Sequence, residues 1–428
     1  MSVKAPKMAG LKSVAPKAAP LDMVARTGNE VMAEAMRQIN PDVVAAYPIT
    51  PATEVVQIFA GFVADGLVDT EFVTVESEHS AMSACIGASQ AGGRVMTATS
   101  SQGLALMAEM VYIAAGLRLP IVMAEVNRAL SAPINIHCDH SDTMLVRDAG
   151  WIQIFSENAQ EAYDNMIQAV RIAEASAVRL PTMVTTDGFI ISHGMEGVSL
   201  IPDEAVREFI GTFSPVYPLL DVDNPVTIGP IMFTDYYFES RRQVAEAMKN
   251  AHQVIADVGA EFGDRFGRRY GYLDAYRMED AEVAVVALGS TAGTARAAVD
   301  AMRQKGIKAG SVKVRVYRPF PADMIRATLG HLKAVAVLDR SDALNNHAAP
   351  LCLDVTTALY STGLGASRPS PPSERPHILN YVYGLGGRDI KPADIQKVFG
   401  DLEQAARDHA AFAPAPQNES PMYLGVRE

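Results

Sequence analysis

Tyr47-Pro-Ile-Thr50-Pro-Ala-Thr53-Glu54 separates a short apolar run, Val43-Val44-Ala45-Ala46, from a segment in which Val55, Val56, Ile58, Phe59, Phe62 and Val63 recur at helical spacing. The run reads as a buried strand and the segment as a helix. Thr50 is placed to cap that helix and Pro51 to take its first position. The Thr50 hydroxyl and the free N–H groups of the helix then face the tip of a strand. An α/β sheet binds anions at such a place, because the helix end carries roughly half a positive charge. A capped turn with no ligand fits the same residues, so the choice rests on the rest of the chain.

Working outward, Val31, Met32, Ala35, Met36 and Ile39 form one helical face in a helix opened by Gly28-Asn29-Glu30. Strands are expected at Glu71–Glu76, Arg94–Thr99, Pro120–Val126 and Pro181–Thr186. Ser77-Glu78-His79-Ser80 opens a small-residue helix, and Ser100-Ser101-Gln102-Gly103 caps a long one reaching Gly116. A loop follows Arg128, then a helix from about Asn158 to Ala175. Alternating strands and helices with strands apolar throughout indicate a doubly wound parallel sheet covered on both faces. Thr50, Glu78, Ser101-Gln102 and Arg128 all fall at strand C-terminal ends, on the rim where such sheets bind ligands. Residues 195–275 read as an irregular, Pro- and aromatic-rich crossover that packs on a neighbour, with one helix near Arg241–Ile255. A second alternating unit begins at Glu282, with strands at Val283–Leu288, Ser311–Tyr317, Ala334–Leu338 and near His377–Val382. The expected division is a flexible arm over 1–27, a first domain over 28–200, a linker over 201–280, a second domain over 281–400 and a tail over 401–428.

The 428 residues exceed one ordinary core, and the net charge of −12 argues against nucleic acid or anionic membrane as the main partner. No apolar run reaches membrane-spanning length. Lys4, Lys7, Lys12 and Lys17 lie among Ala and Pro with no apolar secretory core, so a cytoplasmic location is expected. Cys85, Cys138 and Cys352 form no Cys-x-x-Cys pair, which argues against a self-contained iron–sulfur or zinc site and against a disulfide framework.

The chemistry available is narrow. Gly289-Ser-Thr-Ala-Gly293 lacks dinucleotide spacing and an acidic residue about twenty positions on, so a plain strand–turn–helix is expected there, and Gly384-Leu-Gly-Gly387 reads as a turn. His137-Cys138-Asp139-His140 looks metal-like, but adjacent side chains in a loop cannot all face one ion, so no metal is assigned. Glu78, at the start of an Ala/Gly/Ser helix, can exchange a proton with a ring nitrogen, or it can be a capping residue paired with Ser80. Arg128 offers a planar fork for a carboxylate, or an ion pair to Glu125 or Asp139.

Tyr47-Pro-Ile-Thr-Pro-Ala-Thr-Glu54, Glu76-Ser-Glu-His-Ser80, Thr99-Ser-Ser-Gln-Gly103 and Asn127-Arg-Ala129 resemble the α subunits of 2-oxoacid:acceptor oxidoreductases, the pyruvate:ferredoxin oxidoreductase family. So do Asp148-Ala-Gly-Trp151, Asp187-Gly-Phe189, Lys313-Val-Arg-Val-Tyr-Arg-Pro-Phe320 and Gly384-Leu-Gly-Gly-Arg388, in order from about Gly28 to Gly400. The resemblance implies a pyrimidine-binding thiamine-diphosphate domain followed by a transketolase C-terminal-like α/β domain. It implies that Glu78 bonds N1′ of the aminopyrimidine, that Pro48, Ile49 and Gln102 also line the cofactor, and that Thr50 and Arg128 hold the 2-oxoacid carboxylate. Oxidative decarboxylation to an acyl-CoA is the implied reaction, with coenzyme A as co-substrate and electrons passed to ferredoxin or another acceptor. The Gly-Asp-Gly…Asn segment for the Mg-diphosphate and the cluster cysteines are missing. The resemblance therefore places the diphosphate anchor and the iron–sulfur clusters on partner chains of β, γ and δ type. Pyruvate-type chains usually carry Phe or Trp where this loop has Ile136-His137-Cys138-Asp139, which leaves room for a branched or aryl 2-oxoacid such as phenylglyoxylate. A stand-alone Rossmann-type dehydrogenase lacks its fingerprint here. A non-catalytic scaffold chain does not account for Glu78, Thr50 and Arg128 together.

Overall fold

The computed structural model describes residues 22–360, 375–408 and 421–427. Its centre is a seven-stranded sheet in the order Val316–Arg318, Ile152–Phe155, Thr182–Asp187, Val122–Asn127, Val95–Thr99, Val43–Ala46, Glu71–Thr74. Six of these strands are parallel, and only Val316–Arg318 runs against its neighbour. One face carries the helices Gly28–Ile39, Thr53–Ala64 and Ala159–Glu174; the other carries Glu78–Ala91 and Ala108–Gly116. Their caps were legible in the sequence: Thr27 and Glu30 form a reciprocal capping box, Ser77 accepts from the Ser80 N–H, and Asn158 accepts from the Glu161 N–H.

A second, six-stranded sheet runs Met422–Leu424, His377–Tyr383, Ala334–Asp339, Val283–Ala287, Ala309–Val314, Leu273–Tyr276, with only the last antiparallel. Asp22–Thr27 pairs antiparallel with Met195–Leu200.

Several expectations need correction. Trp151–Phe155 lies where a loop was expected, and Ile152–Phe155 is an interior strand, wholly buried. Asp22–Thr27 belongs to a sheet rather than to the arm, while the arm's residues 1–21 lie outside the described residues. The span 195–275 is more regular than expected, holding the strand Met195–Leu200 and the helices Asp203–Ile210 and Tyr237–Phe266. Buried Val244, Ala247, Ala251, Ile255, Val258 and Phe262 keep that last helix on the core well past Ile255, until Gly267 closes it at φ 76°. The helix Pro392–Asp408 and the strand Met422–Leu424 carry the second unit into the region assigned to a tail. The long helix expected up to Gly116 breaks at Met107.

The expected strand Ser311–Tyr317 serves both sheets, breaking at Arg315. The Arg315 side chain is buried and its guanidinium bonds Asn165 Oδ1 at 2.6 and 2.9 Å and the Gly271 carbonyl at 3.1 Å. Lys313, also buried, reaches Glu157 at 2.8 Å and Glu161 at 2.5 Å. The Lys313–Phe320 motif is thus the joint between the units. Lys313 and Arg315 are two positions apart and so share one face, which brings both to the Ala159–Glu174 side of the first unit, while Arg318 pairs with Asp354 at 3.0 Å.

Candidate active site

The candidate residues meet at the C-terminal rim of the seven-stranded sheet. Thr50 does not cap a helix there, as the sequence reading had it. The helix starts at Thr53 with Ala52 as N-cap and no side-chain cap bond. A helix beginning at Pro51 needs the Thr50 and Pro51 carbonyls for its own N–H groups. Both carbonyls are taken: Arg128 Nη1 donates to the Thr50 carbonyl at 2.9 Å, and Asn29 Nδ2 donates to that of Pro51 at 2.8 Å. The Thr50 side chain is consequently exposed on the rim, beside exposed Pro48 and half-buried Ile49.

Arg128 is 7% exposed. Its Nε donates to the Asn135 carbonyl at 3.1 Å, so the fork is gripped by two carbonyls rather than by Glu125 or Asp139. That leaves guanidinium donors uncommitted to any carboxylate among the described residues. The backbone beneath is held by Asp142, which sequence reasoning missed. Its carboxylate accepts from the Arg128 N–H (2.8 Å), the Ser101 N–H (3.0 Å), the Thr143 N–H (2.7 Å) and Asn127 Nδ2 (2.9 Å). One side chain thereby couples the ends of two neighbouring strands and tolerates Ser101 at φ 49°. Glu125 lies against it, fully buried, with neither carboxyl oxygen hydrogen-bonded. Burial and the Asp142 charge push Glu125 well above the usual carboxyl range. Burial raises Asp142 as well, but the Arg128 N–H and the Asn127 amide work against that rise.

Glu78 opens its helix as expected, 6% exposed. The alternative pairing with Ser80 does not occur: that hydroxyl donates to Glu76 at 2.5 Å. No described residue donates to the Glu78 carboxylate. It lies flat on Gly103, where an added Cβ would stand 2.7 Å from Glu78 Oε1 and 2.8 Å from its Cγ. Gly103 is needed here because the carboxylate crosses its Cα. Gln102, half-buried, has its Oε1 2.6 Å from the Ser101 hydroxyl.

The loop after Arg128 is pinned from the second unit. Asn135 Nδ2 donates to the Gly386 carbonyl at 3.0 Å, and the Gly387 N–H donates to the Cys138 carbonyl at 2.6 Å. Gly384-Leu-Gly-Gly387 is a turn, as expected, and its glycines at φ 65°, 61° and 79° let it approach that loop. His137 lies on Phe189 with ring centroids 5.0 Å apart, and Phe189 lies on His193 at 4.6 Å.

Alternate residues of the loop turn inward, so Cys138 and His140 do converge, with Asp187, within 4.8 Å. His137 and Asp139 do not join them, so the four adjacent side chains do not all face one point, and the contacts of the two that do turn inward do not suit a metal. Asp187 accepts from His140 Nε2 at 2.8 Å and from the Ser290 N–H and hydroxyl at 3.1 and 2.5 Å, with Arg340 Nη1 at 3.4 Å. A fixed guanidinium already supplies the positive charge. The same contacts explain the Gly289 turn: the helix start that could have cradled a phosphate is filled by Asp187.

Comparison with known proteins agrees with this architecture. Residues 34–260 match the family model described as pyruvate flavodoxin/ferredoxin oxidoreductase, thiamine diP-bdg, and residues 281–395 match pyruvate:ferredoxin oxidoreductase core domain II. Pyruvate synthase subunit PorA of Thermotoga maritima is 56% identical over 381 residues, 89% of this chain and 94% of the relative. Ketoisovalerate oxidoreductase subunit VorA of Pyrococcus horikoshii is 43% identical over 379 residues, 88% of this chain and 93% of the relative. Among solved structures, a 2-oxoglutarate:ferredoxin oxidoreductase from Magnetococcus marinus shares the fold, with a TM-score of 0.68 at 20% identity over 90% of this chain and 66% of that one. The chain belongs to the pyruvate flavodoxin/ferredoxin oxidoreductase family, and its thiamine-diphosphate-binding domain carries the rim on which Thr50, Glu78 and Arg128 meet.

Proposed function

We propose that this chain is the α-type subunit of a multi-subunit, CoA-acylating 2-oxoacid:ferredoxin oxidoreductase, with pyruvate as substrate. The observation that carries the reading is the Glu78 carboxylate, nearly buried at the sheet rim and given no donor by any described residue. Such a group fits a ligand that brings a ring nitrogen of its own. Bound thiamine diphosphate supplies the electron sink that lets carbon dioxide leave a 2-oxoacid. Glu78 holds a proton at N1′ of the aminopyrimidine. Pro48, Ile49 and Gln102 form the apolar and amide walls around it, and Gly103 sets the approach. Arg128, with its fork fixed by the Thr50 and Asn135 carbonyls, directs its remaining donors to the substrate carboxylate, beside the Thr50 hydroxyl.

Exposed Tyr47, Ile134, Ile136 and Ile190 around the rim support a second chain as the other wall. That chain, of β type, would hold the Mg-diphosphate, with iron–sulfur clusters on γ- or δ-type chains and coenzyme A as acyl acceptor. The free, buried Cys85, Cys138 and Cys352 suit a reducing cytoplasm, and among the described residues no helix is long and apolar enough to cross a membrane. The family matches over 34–260 and 281–395 support a pyrimidine-binding domain and a second, transketolase C-terminal-like domain, the first match running well past the expected boundary at 200.

The 56% identity to a relative named for pyruvate is the ground for naming pyruvate, while two Pyrococcus horikoshii relatives, one named for pyruvate and one for ketoisovalerate, are each 43% identical. His137 in place of a fixed bulky ring favours a branched 2-oxoacid as the second reading.

Purified alone, the chain should reduce no dye in a CoA-dependent assay with any 2-oxoacid, and activity should return when the co-purifying chains are added. Robust turnover by the verified isolated chain would rule out the split site. In the assembled enzyme, Arg128→Lys keeps the charge but cannot bond both carbonyls and the substrate. The loss is expected to be about 1.5–3 kcal/mol, roughly 10- to 150-fold in kcat/KM, with cofactor binding little changed. Unaltered kinetics would return Arg128 to a purely structural role.

A further inference from the structure

The opposite edge of the seven-stranded sheet carries a different kind of surface. Arg118 and Arg179 sit in the turns that feed Val122–Asn127 and Thr182–Asp187, two strands paired in parallel, so they stand side by side at the N-terminal edge. Both are left-handed, at φ 55° and 48°. Residues 211–236 pass across this edge with no helix or strand. They are tied down where the Leu219 N–H donates to the Gln90 carbonyl at 2.8 Å and where Pro215 and Pro218 rest on Gly92. Beneath lie two adjoining cavities of about 360 and 770 Å³ that share Leu117, Thr227 and Ile228. Arg179 lines the first; Arg118 and Arg241 line the second.

The charge here is unbalanced. Arg37, Arg94, Arg268, Arg296 and Arg318 each hold a carboxylate, in a chain of net charge −12. Among the described residues Arg118 bonds only the Val178 carbonyl, at 2.8 Å, and its buried Nε finds no acceptor there. No described carboxylate acts on either Arg118 or Arg179; burial, and for Arg179 also the charge of Arg118, pulls both below the usual guanidinium range. Half-buried cations left without an anion are costly unless something brings one. The segment above is equally incomplete, since Tyr217, Leu220, Val222, Ile231 and Phe233 are each more than 70% exposed, as is Phe238 at the start of the helix that follows. A small anion would answer the arginines and leave that apolar surface in water.

We infer that this arm and the Arg118–Arg179 pair form a docking surface for another polypeptide chain of the assembly, one whose docking segment carries carboxylates flanked by apolar side chains. The apolar residues settle on the arm, and the carboxylates end at the two guanidinium groups, which suits charged interface cores built on Arg and aromatics. The inference rests on the multichain reading above, but it concerns the edge of the sheet remote from Glu78.

The test uses the assembled complex carrying Arg179→Lys, treated with a zero-length carbodiimide. An introduced amine touching a partner carboxyl forms an amide; the carbodiimide takes up the water as its urea. Peptide mass spectrometry should find that link to an Asp or Glu of another chain, and the linked peptide names the chain. In parallel, Arg118→Glu/Arg179→Glu should weaken assembly tenfold or more in native mass or sedimentation measurements, with the circular dichroism of the chain intact and turnover per surviving complex unchanged. Links confined to this chain, or none, with unchanged assembly, overturn the inference. So does uptake of inorganic phosphate that Arg179→Glu abolishes while assembly stays whole, which would make the pair a small-anion site. A complex that shows the interchain link but no 2-oxoacid turnover would sink the proposed function and keep the docking surface.

Discussion

Replacing Glu78 by Gln in the assembled enzyme should lower 2-oxoacid turnover by about 10²-fold or more, the usual scale of a lost acid–base group. The side chain is nearly buried and rests on Gly103, so the isosteric amide fits the same space and the complex should stay folded and still take up thiamine diphosphate. What the amide cannot do is take and return a proton at the ring nitrogen. Exchange of the cofactor's C2 proton, followed by NMR, should slow in step with dye reduction. Wild-type exchange in Glu78→Gln would mean that this residue only opens a helix, and the site assignment would go with it. Gly103→Ala is the geometric counterpart. Its methyl would stand against Thr99 Oγ1 and 2.7 Å from Glu78 Oε1, too close for either to keep its place, so a comparable loss is expected although no reacting group is removed.

Asp187→Asn should be the most destabilising single exchange proposed, at about 3–5 kcal/mol, because it leaves the buried Arg340 guanidinium without its counter-charge. The carboxylate also joins the two units, from the end of Thr182–Asp187 to Ser290 and Arg340. Burial works against its ionisation, but the Arg340 charge, the His140 ring and the Ser290 hydroxyl outweigh burial and hold it well below the usual carboxylate range. A group depressed in the folded state contributes its full stability above the unfolded carboxyl pKa, about 4, and loses it as pH falls below that value. The gap between wild type and Asp187→Asn in denaturant midpoint should therefore be wide at neutral pH and shrink in acid. A gap that stays constant with pH would show that the carboxylate charge does not lock the units.

The local elements were legible because their causes are local. Helical spacing after Thr53, the caps at Thr27, Ser77 and Asn158 and the apolar strand runs each rest on residues a few positions apart. The rim could be drawn from the sequence too, since a parallel sheet places every strand's C-terminal end on one edge. Glu78, Arg128, Thr50 and Gln102 were found that way, and their roles still await the kinetic tests. Trp151–Phe155 was missed because a five-residue apolar stretch between two loops gives neither periodicity nor a cap to read.

Other features were settled only by long-range contacts. Thr50 looked like a cap, but Arg128 comes from 78 positions on to bond its carbonyl, and the helix starts only at Thr53. Asp142 reads as an ordinary loop acid until folding sets it under the Ser101 and Arg128 N–H groups. The Gly289 turn is the plain strand–turn–helix expected, but that Asp187, 103 positions before Ser290, fills it could be seen only in the fold. Amino-acid sequence by itself determined the long apolar strand runs, the amphipathic helices and the rim positions between them, because those follow from spacing and backbone propensity. Tertiary structure decided where each buried charge finds its partner, because a hydrogen bond or ion pair is set by distance in space and carries no trace in the spacing of the residues that make it.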